Sequence, residues 1–277
     1  MKYLNKIVLV ISFILISING YSQYEFTYLF EFKKDSVSKK KYTDIMNVII
    51  EGEQRIYRGE NHIIYDSIAY TKRKVDASNI SSVMEQTMGL KNNVENYTLE
   101  IDLEKEIQKH YIFNLELPFY NEEKIELPIW NISNETSEID GKKVTKATTF
   151  FLGRNWIAYY SEELPIQVAP YLFYGLPGVI IKLEDENSNY KFELTSYKSK
   201  KDFINLKETT ISQRRRNDFV KMNKDEVYNF GKSFQENKTN ILMQAGLQLT
   251  EQEIKERQER NKKRKYIYLN PSIPFVL

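Results

Sequence analysis

From Tyr24 the chain alternates strictly, with Tyr24, Phe26, Tyr28, Phe30 and Phe32 on one side of an extended backbone and Glu25, Thr27, Leu29 and Glu31 on the other. A period of two is the signature of a strand with one dry and one wet face. The pattern returns at Tyr97, Leu99, Ile101 and Leu103, at Tyr111, Phe113, Leu115 and Leu117, and at Tyr190, Phe192 and Leu194. Strands buried between helices on both faces read instead as continuous apolar runs, so the alternation predicts a mainly β (α+β) fold built on antiparallel sheet. Two corners agree: Ile139-Asp140-Gly141-Lys142 carries the residues of a tight hairpin turn, and Leu152-Gly153-Arg154-Asn155 is a second, weaker case.

Two regions change to helical spacing. Asp76 to Leu90 places Ile80, Val83, Met84 and Met88 at intervals of three and four, with Ser78 as a cap and Gly89 as a stop, which predicts a short internal helix. Beyond about residue 200, Asn223 with Glu226 and Thr250 with Glu253 form capping boxes. The first opens a helix with Val227, Phe230 and Phe234 on one face, the second a helix whose apolar content is little more than Ile254. No low-complexity linker divides the chain, so residues 23–277 read as a single domain, β-rich to about 200 and helical after it, on a sheet that is curved or a half-barrel.

The first 22 residues stand apart. Lys2 and Lys6 precede an apolar run from Ile7 to Ile18, followed by Asn19-Gly20-Tyr21-Ser22, the layout of a secretory signal peptide cut before Gln23. The run is shorter than the roughly 20 residues a membrane-spanning helix needs. The expected address is therefore the periplasm or the outer-membrane surface. The sequence holds no cysteine, which excludes disulfides, thiol catalysis, thiolate metal sites and the lipid attachment of a lipoprotein. A mature length of about 250 residues buries on the order of 70–75% of its unfolded surface, so the core alone can hold the fold. The net charge is +2, too near balance to steer nucleic acid.

The stretch Tyr171-Leu-Phe-Tyr-Gly-Leu-Pro-Gly-Val-Ile-Ile181 is the most tightly specified in the chain. Pro177 fixes its φ and Gly178 accepts a positive one, so Leu176 to Val179 is expected to form a type II turn running into a strand. Gly175 leaves room for an aromatic such as Tyr171 or Phe173 to close over the backbone. A phosphate-cradling loop would need G-x-x-x-x-G-K-[ST] or G-x-G-x-x-G opening a helix, and neither occurs. The region from Gly141 to Asp185 carries Lys146-Ala147-Thr148, Gly153-Arg154, Trp156-Ile157-Ala158-Tyr159-Tyr160, Leu164-Pro165-Ile166, Ala169-Pro170 and Gly175-Leu176-Pro177-Gly178-Val179-Ile180. This run resembles the GLPGLI family of secreted Bacteroidetes proteins, and Asn270-Pro271 fits it too. Val179 departs from the family's usual leucine, Ala169 from a glycine and Val144 from a cysteine carried by many members. The family has no established activity. The resemblance implies an exported, sheet-rich protein and suggests a partnership with an outer-membrane transporter.

Chemistry-bearing groups are sparse in pattern. His62 and His110 lie on segments with no ligand spacing, and no G-x-S-x-G elbow occurs. No cofactor or metal is expected. Glu162-Glu163 and Glu184-Asp185-Glu186 read as solvated turns. Arg214-Arg215-Arg216 and the basic run 261–265 could touch anionic lipid, although Glu251, Glu253, Glu256 and Glu259 make the second a mixed, solvated helix. Aromatics are in excess, with 20 tyrosines and 15 phenylalanines. On one predicted hairpin Arg154, Trp156, Tyr159 and Tyr160 cluster, and by period two Arg154, Trp156 and Tyr160 share a face. That face is either a binding surface with a cation beside two rings or a core face with arginine at its rim. The expected function is a non-catalytic envelope protein binding an apolar or extended ligand, lipid or peptide, or a membrane-protein partner. By analogy, the order of elements is like that of periplasmic lipoprotein carriers. The alternative is a carboxylate-dependent hydrolase of envelope glycan or peptide.

Overall fold

The computed structural model describes residues 23–35, 40–75, 85–91, 93–94, 97–113, 118–164, 166–200, 219–244, 248–263 and 268–271. The predicted signal peptide, the arginine triplet at 214–216 and residues 76–84 of the predicted internal helix lie outside them. Residues 85–87 form a helical turn that ends at Met88 and Gly89.

Twelve strands form one sheet: β1 (Gln23–Phe32), β2 (Tyr42–Glu51), β3 (Gln54–Gly59), β4 (Tyr97–Asp102), β5 (Ile107–Ile112), β6 (Phe119–Lys124), β7 (Asn131–Ile139), β8 (Lys142–Phe151), β9 (Arg154–Ser161), β10 (Val179–Asp185), β11 (Tyr190–Lys200) and β12 (Val220–Lys221). Their spatial order is β12-β6-β5-β4-β3-β2-β1-β11-β10-β9-β8-β7. Every named pair is antiparallel except β12 beside β6. The sheet does not close, so β12 and β7 are its edges. Among the described residues the named helices are α1 (Glu60–Val75), α2 (Lys224–Gln244) and α3 (Glu251–Lys263).

Local chemistry accounts for much of this. The expected dry face of β1 is buried at Phe26, Tyr28, Phe30 and Phe32. Across the seam to β11, Phe30 stacks on Phe192 at 4.3 Å between ring centroids, and on its own strand Phe32 at 4.7 Å. Such aromatic pairs each add about 0.5–1.5 kcal/mol beyond the area they bury. Asp140 and Gly141 have φ of 51° and 74°, and Leu152 and Gly153 have 50° and 74°. Both hairpins therefore turn through two left-handed residues, the geometry that matches strand twist. Both capping boxes form: Asn223 Oδ1 accepts from Glu226 N at 3.0 Å while Glu226 Oε2 accepts from Asn223 N at 2.7 Å, and Thr250 pairs with Glu253 likewise.

The face bearing Phe26, Val48, Tyr57, Leu99 and Ala158 is covered by the chain itself. The segment of residues 166–178, the Val227 and Phe230 side of α2, and Leu269 all pack there in one continuous core. The opposite face is covered locally by α1, where Ile63 meets Ile49 and Ile56 and Asp66 pairs with the buried Arg58 at 2.8 Å. Burial on both faces is why β2 is apolar at Ile45, Met46, Val48, Ile49 and Ile50 instead of alternating.

The Leu176-Pro177-Gly178 corner differs from the expected type II turn. Gly178 is not among the residues with positive φ, and its N–H bonds back to Leu176 O at 2.9 Å, a three-residue turn centred on Pro177. The glycine is required by proximity: a Cβ there would fall inside contact distance of the Ser161 carbonyl. Next to it Val168 N donates to Gly178 O at 3.1 Å and Ile180 N to Val168 O at 2.9 Å, lashing the segment to the start of β10. Gly175 does adopt positive φ, 109°, and the aromatic that closes over it is Trp130, not Tyr171 or Phe173. Trp130 Nε1 donates to Tyr174 O at 3.0 Å.

Two glycine sites should therefore respond differently. Gly178→Ala should lose about 1–3 kcal/mol by overpacking against backbone, and Gly178→Asn should be no better. Gly141→Ala should lose about 1–2 kcal/mol for a left-handed residue, and Gly141→Asn should recover most of it. Urea midpoints of the four variants check this; an asparagine rescue at 178 would restore the type II turn.

Candidate functional site

The four residues expected to form one surface are split by the sheet. Trp156 and Tyr160 are buried in the core, with Trp156 Nε1 donating to Phe151 O at 2.9 Å and its ring 4.5 Å from Phe173. Arg154 lies at the rim of that face, its guanidinium 4.8 Å from the Tyr190 ring centroid and bonded to Leu269 O at 3.4 Å. Tyr159 points to the opposite face, where Lys182 lies 5.8 Å from its ring. This is the core-face arrangement with arginine at the rim, so Trp156 and Tyr160 are corrected from binding residues to packing residues.

A second cluster was not visible in the sequence. Tyr171, left-handed at φ 53° and fully buried, contacts Tyr57, Tyr97 and His110 from three adjacent strands. A bulky aromatic in that conformation persists only where its surroundings hold it. Asn270 Nδ2 donates to the Tyr171 hydroxyl at 3.1 Å, the Tyr171 and Tyr97 rings lie 6.2 Å apart, and the Tyr97 hydroxyl bonds His110 Nδ1. The other ring nitrogen, Nε2, is buried and has no hydrogen-bond partner among the described residues. That atom lies 3.6 Å from Glu123 Oε1, itself bonded to Gln108 Nε2 at 2.8 Å.

Proximity to Glu123 would favour a charged imidazole, but burial dominates and pushes the His110 pKa down to about 3, with Lys224 adding to the effect. Desolvation likewise raises the Tyr97 and Tyr171 hydroxyls. At neutral pH the chain thus holds a neutral imidazole and protonated phenols, and it clasps residue 270 to the middle of the sheet. His62 is elsewhere, its ring 3.1 Å from where a Gly59 Cβ would stand.

The expected carboxylate pairs are likewise engaged. Asp185 Oδ1 accepts the N–H groups of Asn189 and Tyr190, both at 2.7 Å. Glu186 holds Asn155, Glu184 pairs with Lys182 and Glu163 accepts Lys143 N. Each organises a turn or strand end.

Among the described residues one long edge remains open. At the β12 end the sheet terminates in two residues, a short strand that offers little to pair with. At the other end β7 is nine residues long and exposed along nearly its whole length. Around it stand Ile129 (86% exposed), Phe150 (72%), Ile132 (53%) and Leu127 (42%). A groove of about 390 Å³ runs beside them between Asn131, Thr148, Phe150, Asn155 and Ile157. Exposed apolar side chains beside unpaired backbone mark an interaction surface. No spacing rule announces this, because the β7 sequence NISNETSEI is polar.

Two measurements follow. Tyr171→Phe should cost about 1–3 kcal/mol, because it leaves buried partners of the hydroxyl unpaired, and Tyr97→Phe combined with it should cost less than the sum. The His110 pKa is depressed when folded, so the unfolded state binds the proton first. The stability this adds is complete above about pH 6.5 and is lost as pH falls toward 3. Over that window the native protein should show a slope steeper than that of His110→Gln by up to about 1.4 kcal/mol per pH unit; equal slopes would place the imidazole in water.

No family model matches the chain, and no curated protein sequence matches it. Among solved structures, PNGF-II in its C2 crystal form aligns over 73% of this chain and 31% of its own, with a TM-score of 0.48 and 18% identity. PNGF-II in the P21 form gives 0.46 and 17% over the same shares. A LolA superfamily protein from Nitrosomonas europaea aligns over 68% of this chain and 90% of its own, at a TM-score of 0.28 and 6% identity. The chain spans about a third of the PNGF-II chains it is similar to.

Proposed function

We propose that this is an exported, non-catalytic envelope protein that works by binding, and that it takes an extended, strand-forming segment of a partner along β7. The observation that carries the reading is the contrast between its surfaces. The dry face of the sheet is filled by residues 166–178, α2 and Leu269, and one edge ends in a two-residue strand. The nine-residue β7 edge, flanked by uncovered Phe150, Ile129 and Ile132, offers unpaired backbone and apolar purchase together. Strand addition draws its affinity from main-chain hydrogen bonds and its selectivity from alternate side chains.

The basic, apolar, small-residue order of positions 1–22 supports export. Placement in the GLPGLI family is part of the same proposal, supported by the residues quoted from Gly141 to Asp185. In this fold those residues are contiguous in space, running from the β8–β9 hairpin through the covering segment into β10. The suggested partner class is an outer-membrane transporter, whose exposed strands or plug segments are of the right form. The hydrolase alternative gains no observation: Glu184, Asp185 and Glu186 are engaged in local structure.

A photoreactive residue placed at Ile132 or Phe150 in the native envelope should give discrete cross-links, and one at Met243 on α2 should give none. Asn134→Pro, which blocks the edge, should abolish them. Cross-links spread equally over all three positions, or unaffected by the proline, would overturn strand addition along β7.

A further inference from the structure

A second cavity lies at the end of the sheet where β9 finishes and β10 begins. Its volume is about 160 Å³, and Leu164, Val179, Ile181, Leu194 and Tyr197 make its apolar wall. Lys142, Ser161 and Glu163 complete the lining. It is built by the feature that defines the corner: bare Gly178 lets the chain lie on the Ser161 carbonyl, which sets Val179 opposite Ser161 across the β9–β10 pair.

The size and the charges restrict what fits. An apolar cavity of about 150 Å³ holds one benzene, so this one takes a single side chain of leucine or phenylalanine size and not an acyl chain. Among the described residues Lys142 makes no ion pair, and Glu163 accepts one hydrogen bond, from Lys143 N at 3.1 Å. An ammonium and a carboxylate thus line one small pocket without neutralising each other. A purely anionic ligand would face Glu163 and a purely cationic one Lys142, whereas a zwitterion with an apolar tail satisfies both ends and the wall. The Ser161 hydroxyl, which accepts from Glu163 N at 3.4 Å, still has its own proton to donate to a ligand carboxylate.

We infer that this pocket binds a free apolar α-amino acid, its carboxylate toward Lys142 and Ser161, its ammonium toward Glu163 and its side chain on Val179, Ile181 and Leu194. The site is separate from the β7 edge and does not rest on the partner reading.

Titration calorimetry of the full mature chain with L-leucine tests this. Leucine should bind saturably, and leucinamide and N-acetyl-leucine, which lack one charge each and stand for the two ends of a peptide, should bind at least about tenfold more weakly, a loss of about 1.4 kcal/mol. Lys142→Met should erase the preference over leucinamide, and Glu163→Gln the preference over N-acetyl-leucine, with circular dichroism showing that both variants are folded. Absence of leucine binding at millimolar concentration, or equal binding of all three probes, overturns the inference; stronger binding of either derivative reassigns the pocket to a peptide end and overturns it equally. Loss of cross-links at β7 with leucine binding intact would refute the partner reading alone.

Discussion

An open sheet of this breadth must hide one apolar face, and here the cover is irregular backbone. Residues 166–178 carry Val168, Ala169, Tyr171, Leu172, Phe173, Tyr174 and Leu176 into the core without being a helix or a strand. Irregular backbone is costly to bury because its polar groups lack ladder partners. The structure supplies them singly: Val168 bonds both ways with the start of β10, Trp130 donates to Tyr174 O, and Phe173 N bonds Pro170 O. The segment shares one core with Val227 and Phe230 of α2 and with Leu269.

That dependence explains which parts of the fold were legible in the sequence. Several local rules hold: β1 alternates because only one of its faces is dry, Asp140-Gly141 turns because two left-handed residues are needed, and Asn223 with Glu226 closes a helix end within three residues. Wherever a residue answers to something distant, the reading fails. Gly178 looked like a turn residue and is a contact residue, its requirement set by the Ser161 carbonyl on another strand. The strand β2 hid its identity because α1, packed on its far side, removed its alternation. The site was less legible still, since Tyr97, His110, Tyr171 and Asn270 come together from positions spread between 97 and 270, and no spacing encodes that.

The buried polar chain also shows what the aromatic excess does. Tyrosine brings a large apolar body and one hydrogen-bonding tip, so it can fill a core and still tie elements together. Tyr28 donates to Ile180 O at 2.9 Å across the β1–β10 distance, and Tyr171 joins Asn270 to the β4–β5 pair. Without cysteine, hydroxyl ties such as these, with the Arg154 bond to Leu269 O and the Trp130 bond to Tyr174 O, link segments far apart in sequence.

The position of β1 has a consequence for how the molecule assembles. The strand that begins at Gln23 sits in the middle of the sheet, and one of its two neighbours is the nearby β2 while the other, β11, is built from residues 190–200. Its seam with β11 cannot zip until some 170 residues have followed, as in the pairing of Tyr24 with Ser199. Such distant pairing makes for slow folding, and until it happens a row of phenylalanines and tyrosines is left without its mate. A chain ordered this way cannot complete the centre of its sheet until β11, the last long strand, has joined it.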